Sequence, residues 1–260
     1  MAQQNKRKSR LGTINVNNDG CPMKVVQYTN YHDIVVEFQD KHKAKVHTQW
    51  YNFINGRTKN PYFPSVYGVG IVGNKYPTQI KEYGVWRQML GRCFVEKTKD
   101  KSPTYEDVTC CDEWLNYETF YEWIHSQENF EILQESGDWY IDKDIIKKGN
   151  RVYCQEYCCI VPRRVNNLFT KRESKRGQYP IGVTKDKRCT NSYRASCSNV
   201  DLPDGRVTIG FYSSPRYAFL AYKSYKEKLI KTVANSEYED KRIDKRCYDA
   251  MINYQIEITD

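Results

Sequence analysis

Long apolar runs are missing from this chain. None approaches the roughly 20 residues that a membrane span needs, although 39% of the 260 residues are hydrophobic. The basic opening MAQQNKRKSR is not followed by an apolar core, so it does not have the form of a secretory signal. The chain is therefore expected to work inside a cell, in the cytoplasm, with no membrane partner. Histidine is also scarce. Four occur (His32, His42, His47, His125), which restricts imidazole chemistry to those places. No Cys-x2-Cys pair exists among the ten cysteines, and adjacent pairs such as Cys110-Cys111 and Cys158-Cys159 rarely ligate one ion together. A four-thiolate zinc set from Cys110, Cys111, Cys154, Cys158 and Cys159 is weighed against buried reduced thiols, and the spacing favours the thiols.

Positive charge and tyrosine are plentiful. The formal charge is +9, and 22 tyrosines supply most of the 14% aromatic content. Such a surface suits phosphates and sugars or bases, and equally a solvated basic face.

The chain falls into four stretches. Residues 1–20 form a basic arm, where Lys6, Arg7, Lys8 and Arg10 meet no acid before Asp19. Such an arm can follow a DNA backbone or hang free. Residues 21–75 suggest a small β-barrel-like domain, with MKVVQY and IVVEFQD as strands across a turn at TNYHD. Residues 80–170 turn helical. Trp86, Met89, Leu90 and Cys93 share one helix face, as do Trp114, Tyr117, Tyr121 and Ile124, with Asp112 expected as the second helix's N-cap. A hairpin then follows: WYIDKDI as one strand, KKGN as the turn, RVYCQ as the return. RRVNNLF is a short helix. Residues 178–260 hold up to three strands, with turns at Thr190-Asn191 and Asp204-Gly205. A helix capped by Ser214 with Pro215 at its first position comes next, and a last helix is expected to start at Ser236 in a Ser-x-x-Glu capping box. The expected class is α+β.

Two segments resemble known families. From Tyr83 to Phe169, about a third of the chain, YGVWRQMLGRCF, TYEDVTCCDEWLNYETFYEWI and YIDKDIIKKGNRVYCQEYCCIVPRRVNNLF resemble phage and prophage HNH-type homing endonucleases. Trp86, Met89, Arg92, Cys93, Val108, Cys110 or Cys111, Trp114, Phe120, Asp142, Gly149, Asn150, Tyr153, Glu156 and Cys158 carry the likeness. It implies a ββα unit on one divalent metal, with a histidine as general base. Asp142, Lys143 and Asp144 stand where that catalytic centre belongs, and Asp142, Asp144 and Asn150 are the oxygen donors for Mg²⁺, joined in reserve by Asn166 or Asn167. The sequence departs from the family at the base: Lys143 stands where histidine is wanted, and Tyr157 where asparagine is. A lysine is protonated unless strongly perturbed. His125 is the imidazole that could fold in from the preceding helix.

Pro180 to Leu229 is similar to the ethylene-response-factor/Apetala-type DNA-binding domain, a three-stranded sheet packed on one helix. Ile181-Gly182-Val183, Tyr193-Arg194-Ala195, Ile209-Gly210-Phe211-Tyr212 and Ala218 to Tyr222 carry that likeness. It implies a sheet face laid in the major groove, with Lys187, Arg188, Tyr193, Arg194 and Arg206 on or beside it. Between the two segments, Arg163 to Arg188 holds nine Lys/Arg, including Arg163, Arg164, Lys171, Arg172, Lys175 and Arg176, against Glu173 and Asp186. Such a linker suits a phosphate backbone, or simply water.

Three functions follow as expectations. The first is a double-stranded DNA-binding protein of phage or prophage origin with a degraded catalytic centre. The second is an active Mg²⁺-dependent endonuclease. The third is a phage protein that binds a host protein through its tyrosines.

Overall fold

The computed structural model describes residues 10–101, 105–170, 178–186, 188–190, 192–199 and 201–260. The fold is mixed α+β. It divides into two compact units, Met1–Glu106 with Asp112–Tyr121, and Asp107–Cys111 with Glu122–Asp260. No helix among the described residues is long and apolar enough to cross a membrane.

The first unit opens with a four-stranded antiparallel sheet. Its strands β1 (Ile14–Val16), β2 (Pro22–Asn30), β3 (Asp33–Phe38) and β4 (Lys45–Thr48) lie in chain order. Alternation in β2 buries Met23 and Val25, and β3 adds Ile34, Val36 and Phe38. Helix α1 (Trp50–Ile54) closes this core with Phe53. The turns are set by short polar side chains. Asn30 Oδ1 accepts from His32 N at 2.8 Å, and Asp40 Oδ1 accepts from His42 N at 2.9 Å. A short ladder, β5 (Pro64–Val66) with β6 (Gly70–Ile71), leads to α2 (Lys81–Phe94) and α3 (Glu96–Lys101). Trp86, Met89, Leu90 and Cys93 form the buried face of α2 that their spacing predicts. Indole Nε1 of Trp86 donates to Trp114 O at 2.8 Å. Asp112 opens a short 3₁₀ turn (Asp112–Leu115), and helix α4 (Tyr117–His125) starts later. Asn116 serves at its start, its Oδ1 accepting from Glu118 N at 2.9 Å.

In the second unit, β7 (Thr109–Cys110) pairs in parallel with β9 (Val152–Tyr153). Helix α5 (Phe130–Ser136) leads into β8 (Trp139–Asp142), which pairs antiparallel with β10 (Cys159–Pro162), and α6 (Arg163–Phe169) follows at once. This corrects the predicted hairpin. The return strand of β8 is Cys159–Pro162 and not RVYCQ, so residues 143–158 form a long loop carrying β9. The reason is burial. All four β10 residues are buried, and their apolar run competes better for β8 than half-polar RVYCQ.

Strands β11 (Val183–Lys185), β12 (Tyr193–Ser198) and β13 (Arg206–Tyr212) form an antiparallel sheet in that order. Helix α7 (Pro215–Glu239) packs Ala218, Phe219 and Tyr222 against Val183, Ala195 and Cys197 in one core. Ser214 caps α7 by accepting from Tyr217 N at 3.3 Å, with Pro215 at the first position. The expected capping box at Ser236 is also corrected: α7 runs unbroken through it to Glu239. The chain breaks at Lys241, where φ is +55°, and α8 (Lys245–Ile252) begins under Asp244, whose side chain accepts from Cys247 N at 2.7 Å.

Candidate nucleic-acid interface

At the end of β8, Asp142 turns the chain out of the sheet. Its Oδ1 accepts from Asp144 N at 2.7 Å and Ile145 N at 2.9 Å. Burial pushes the Asp142 carboxyl above the usual carboxylate range, against the lowering effect of those two donors. Lys143 points inward and is 7% exposed. Its Nζ donates to Asp144 Oδ2 at 2.7 Å and to Asn150 O at 3.1 Å. Asn150 answers across the loop, donating Nδ2 to Lys143 O at 2.9 Å and to Val152 O at 2.7 Å.

The structure thus brings Asp142, Lys143, Asp144 and Asn150 together, but as the knot that closes a loop. The Lys143 ammonium sits on Asp144 Oδ2, where it repels a cation, and Asp142 Oδ1 is held by two backbone N–H groups. This arrangement does not fit Mg²⁺. No group of three His, Cys, Asp or Glu side chains arranged for a metal occurs among the described residues. His125 lies with its ring against Phe130, centroids 4.5 Å apart. Cys158 and Cys159 are buried in the loop's base, and burial pushes the Cys158 thiol up, away from the thiolate a metal would take.

The three-stranded sheet has one face on α7 and one face open. Register and bulge decide which side chains go where. Thr184, Arg194 and Phe211 stand in one row across the three strands, and Ser198 pairs with Arg206. Thr184, Arg206, Thr208 and Phe211 are exposed, and Arg194 is half-buried. Val207, Ile209 and Tyr212 turn the other way, onto the core, because one extra residue is inserted in β13 opposite Ala195-Ser196. Arg188, in the connection before β12, holds its guanidinium 5.6 Å from the Phe211 ring centroid. Its Nε pairs with Asp186 Oδ1 at 3.1 Å, which raises the arginine and lowers the carboxyl. Arg194 Nε donates to Thr184 Oγ1 at 3.4 Å. The next residue after Arg188, Cys189, is an exposed free thiol. The open face therefore presents three guanidiniums, two threonine hydroxyls and one exposed aromatic ring.

Gly182 explains how β11 comes so close to α7. Its φ is +77°, and a Cβ there would lie 2.1 Å from Tyr222 Cδ2. The glycine in YPIGV is thus required twice, by its backbone angle and by the ring.

Two predicted contacts have other employment. Tyr193 faces α7's side, packs on the core and meets Tyr179 edge to face at 5.4 Å, because it pairs with inward-facing Tyr212. Arg164 grips Asp201 with Nε at 2.8 Å and Nη2 at 2.7 Å, and reaches Glu237 Oε1 with Nη1 at 3.0 Å. It ties α6 to α7 and is not an open phosphate ligand. Arg163 is exposed and pairs with Asp138 at 3.1 Å. Lys171, Arg172, Lys175, Arg176 and Lys187 lie outside the described residues. The role of Phe211 was missed in the sequence, where it reads as one more apolar strand residue; only the inserted residue in β13 turns it outward.

No family model, curated protein or solved structure matches this chain.

Proposed function

We propose that this protein binds double-stranded DNA through the open face of its C-terminal sheet, and that it descends from phage HNH homing endonucleases whose cleavage centre has been lost. The observation that carries the reading is Arg188 and Arg194 beside exposed Phe211, with Arg206 at the other end of β13, on the sheet face opposite α7. Guanidiniums suit phosphates and guanine edges, and a strand face can enter the major groove. Loss of cutting is supported by Lys143, whose bound ammonium stands where a base must accept a proton.

The test is a gel shift of a duplex library across salt concentrations, with and without EDTA. Binding is expected to survive EDTA and to weaken steeply with salt, by about 0.9 log unit per log salt for each phosphate contacted. Arg188→Ala with Arg194→Ala is expected to weaken binding about tenfold or more. Binding that ignores salt, or a double variant equal to wild type, overturns the reading. Supercoiled plasmid incubated with Mg²⁺ or Mn²⁺ is expected to stay supercoiled. Relaxation that Asp142→Ala abolishes would establish the endonuclease instead.

A further inference from the structure

The second unit contains a cleft of about 660 Å³, in the size range of small-molecule sites. It opens along β12 where that strand runs past the end of β11, and Ser196, Arg206, Tyr222, Lys226, Ile230 and Tyr254 are among its lining residues. Two features of this lining are unexplained by the fold.

The first is Lys226. It lies in the middle of α7, is 7% exposed, and makes no hydrogen bond or ion pair with any described residue. Burial lowers its pKa, with the Cys197 thiol as the neighbour that opposes the shift. A protein seldom buries an ammonium without a partner. The second is Ser196, 3% exposed, whose Oγ is buried without a hydrogen-bond partner among the described residues. Unsatisfied buried polar atoms are few in native proteins, and each needs a reason. Ser196 pairs with exposed Thr208 and turns its hydroxyl to the sheet face away from α7, which leaves Lys226 as the unpaired buried donor of the cleft, with exposed Arg206 as a second positive charge. The acid in the lining, Asp260, is already engaged: its Oδ2 accepts from Lys148 Nζ at 2.7 Å and from Glu257 N at 2.8 Å. The remaining walls are aromatic and aliphatic, from Tyr222, Tyr254 and Ile230.

We propose that this cleft binds a phosphate group carried by a nucleotide, with Lys226 as the donor to phosphate oxygens, Arg206 as the second positive charge and the tyrosine side taking the nucleoside. The site shares Arg206 with the open sheet face but needs neither Arg188 nor Arg194. The nucleotide has two sources, a free nucleoside phosphate or the end of a nucleic-acid strand. Both offer the same acceptor oxygens.

Titration calorimetry and thermal shift on the full chain test this with inorganic phosphate, pyrophosphate, deoxynucleoside monophosphates and a short duplex. Monophosphates are expected to bind and to raise the melting temperature of wild type and of the Arg188→Ala/Arg194→Ala variant. Lys226→Met, which removes an unpaired buried charge and keeps the stem, is expected to fold and to bind at least tenfold more weakly. Should Lys226→Met fail to fold, Arg206→Ala is the second variant, with several-fold weaker binding expected. Duplex that displaces monophosphate from the open-face variant identifies a strand end as the source; monophosphate retained under excess duplex identifies the free nucleotide. Wild type that binds none of the phosphates, or a folded Lys226→Met or Arg206→Ala that binds as wild type does, overturns the proposal. An open-face variant that loses duplex but keeps monophosphate separates this site from the DNA-binding reading.

Discussion

Asp142 shows how one side chain can serve the fold rather than the chemistry its sequence context suggests. Its oxygen holds two backbone N–H groups at the mouth of the 143–158 loop. Asp142→Ala would leave both without a partner and is expected to cost about 1–3 kcal/mol. Asp142→Asn keeps an acceptor and removes a buried charge. Because burial raises the Asp142 pKa in the fold, the stability linked to its proton is fully present below the ordinary carboxylate value of 3.8 and is lost as pH rises through the folded value. Wild type and Asp142→Asn are therefore expected to melt alike at acid pH, with the variant melting higher toward pH 7; thermal melts from about pH 3 to 7 check the divergence. Gly182 is the other decisive residue. Gly182→Ala forces a Cβ into the Tyr222 ring at a φ of +77°, and is expected to destabilise by about 2 kcal/mol or more in denaturant unfolding. A variant as stable as wild type would mean that β11 does not lie on α7 as described.

At the scale of elements, the ion pairs of Arg164 bind α6 to α7. Glu237 is buried at 1% exposure and faces both Arg164 and Arg242. Removing Arg164 leaves it one guanidinium, so Arg164→Ala is expected to lower stability by about 3 kcal/mol while leaving the salt slope of DNA binding unchanged. A lower slope with unchanged stability would return Arg164 to the phosphate-binding set. Elements whose signal is local were legible in the sequence. The alternation of β2 and β3, the 3.6-residue face of α2 and the Ser214-Pro215 start of α7 each depend on neighbours a few residues apart. The elements that escaped depend on distant partners. RVYCQ carries strand-like residues, but β8 pairs with a more apolar run eight residues further on, and β9 finds its partner in β7, some forty residues upstream. Ser236 with Glu239 has the pattern of a helix start, yet α7 continues because Val233, Ala234 and Glu237 are buried in its last turns. Among site residues, the arginines of β12 and β13 could be placed from alternation. The inward turn of Tyr193 and the outward turn of Phe211 could not, since one inserted residue in β13 decides the register. Nor could the employment of Lys143, which is settled by Asn150 across the loop.

At the scale of the molecule, a net charge of +9 makes nonspecific attraction to nucleic acid cheap. What needs measuring is where the contact falls. The distribution of thiols supplies the means. Five cysteines are buried, four are partly covered, and Cys189 stands exposed beside Arg188. Alkylation depends on access to the sulfur, so under brief, limiting maleimide Cys189 is expected to react first. The native chain thereby carries its own single-site footprint of the open face: saturating duplex should slow labelling of Cys189 several-fold, as read by peptide mass spectrometry, whereas equal labelling rates with and without duplex would place the bound DNA elsewhere. A fluorophore introduced by the same chemistry would follow association in real time, with no residue added to the sequence.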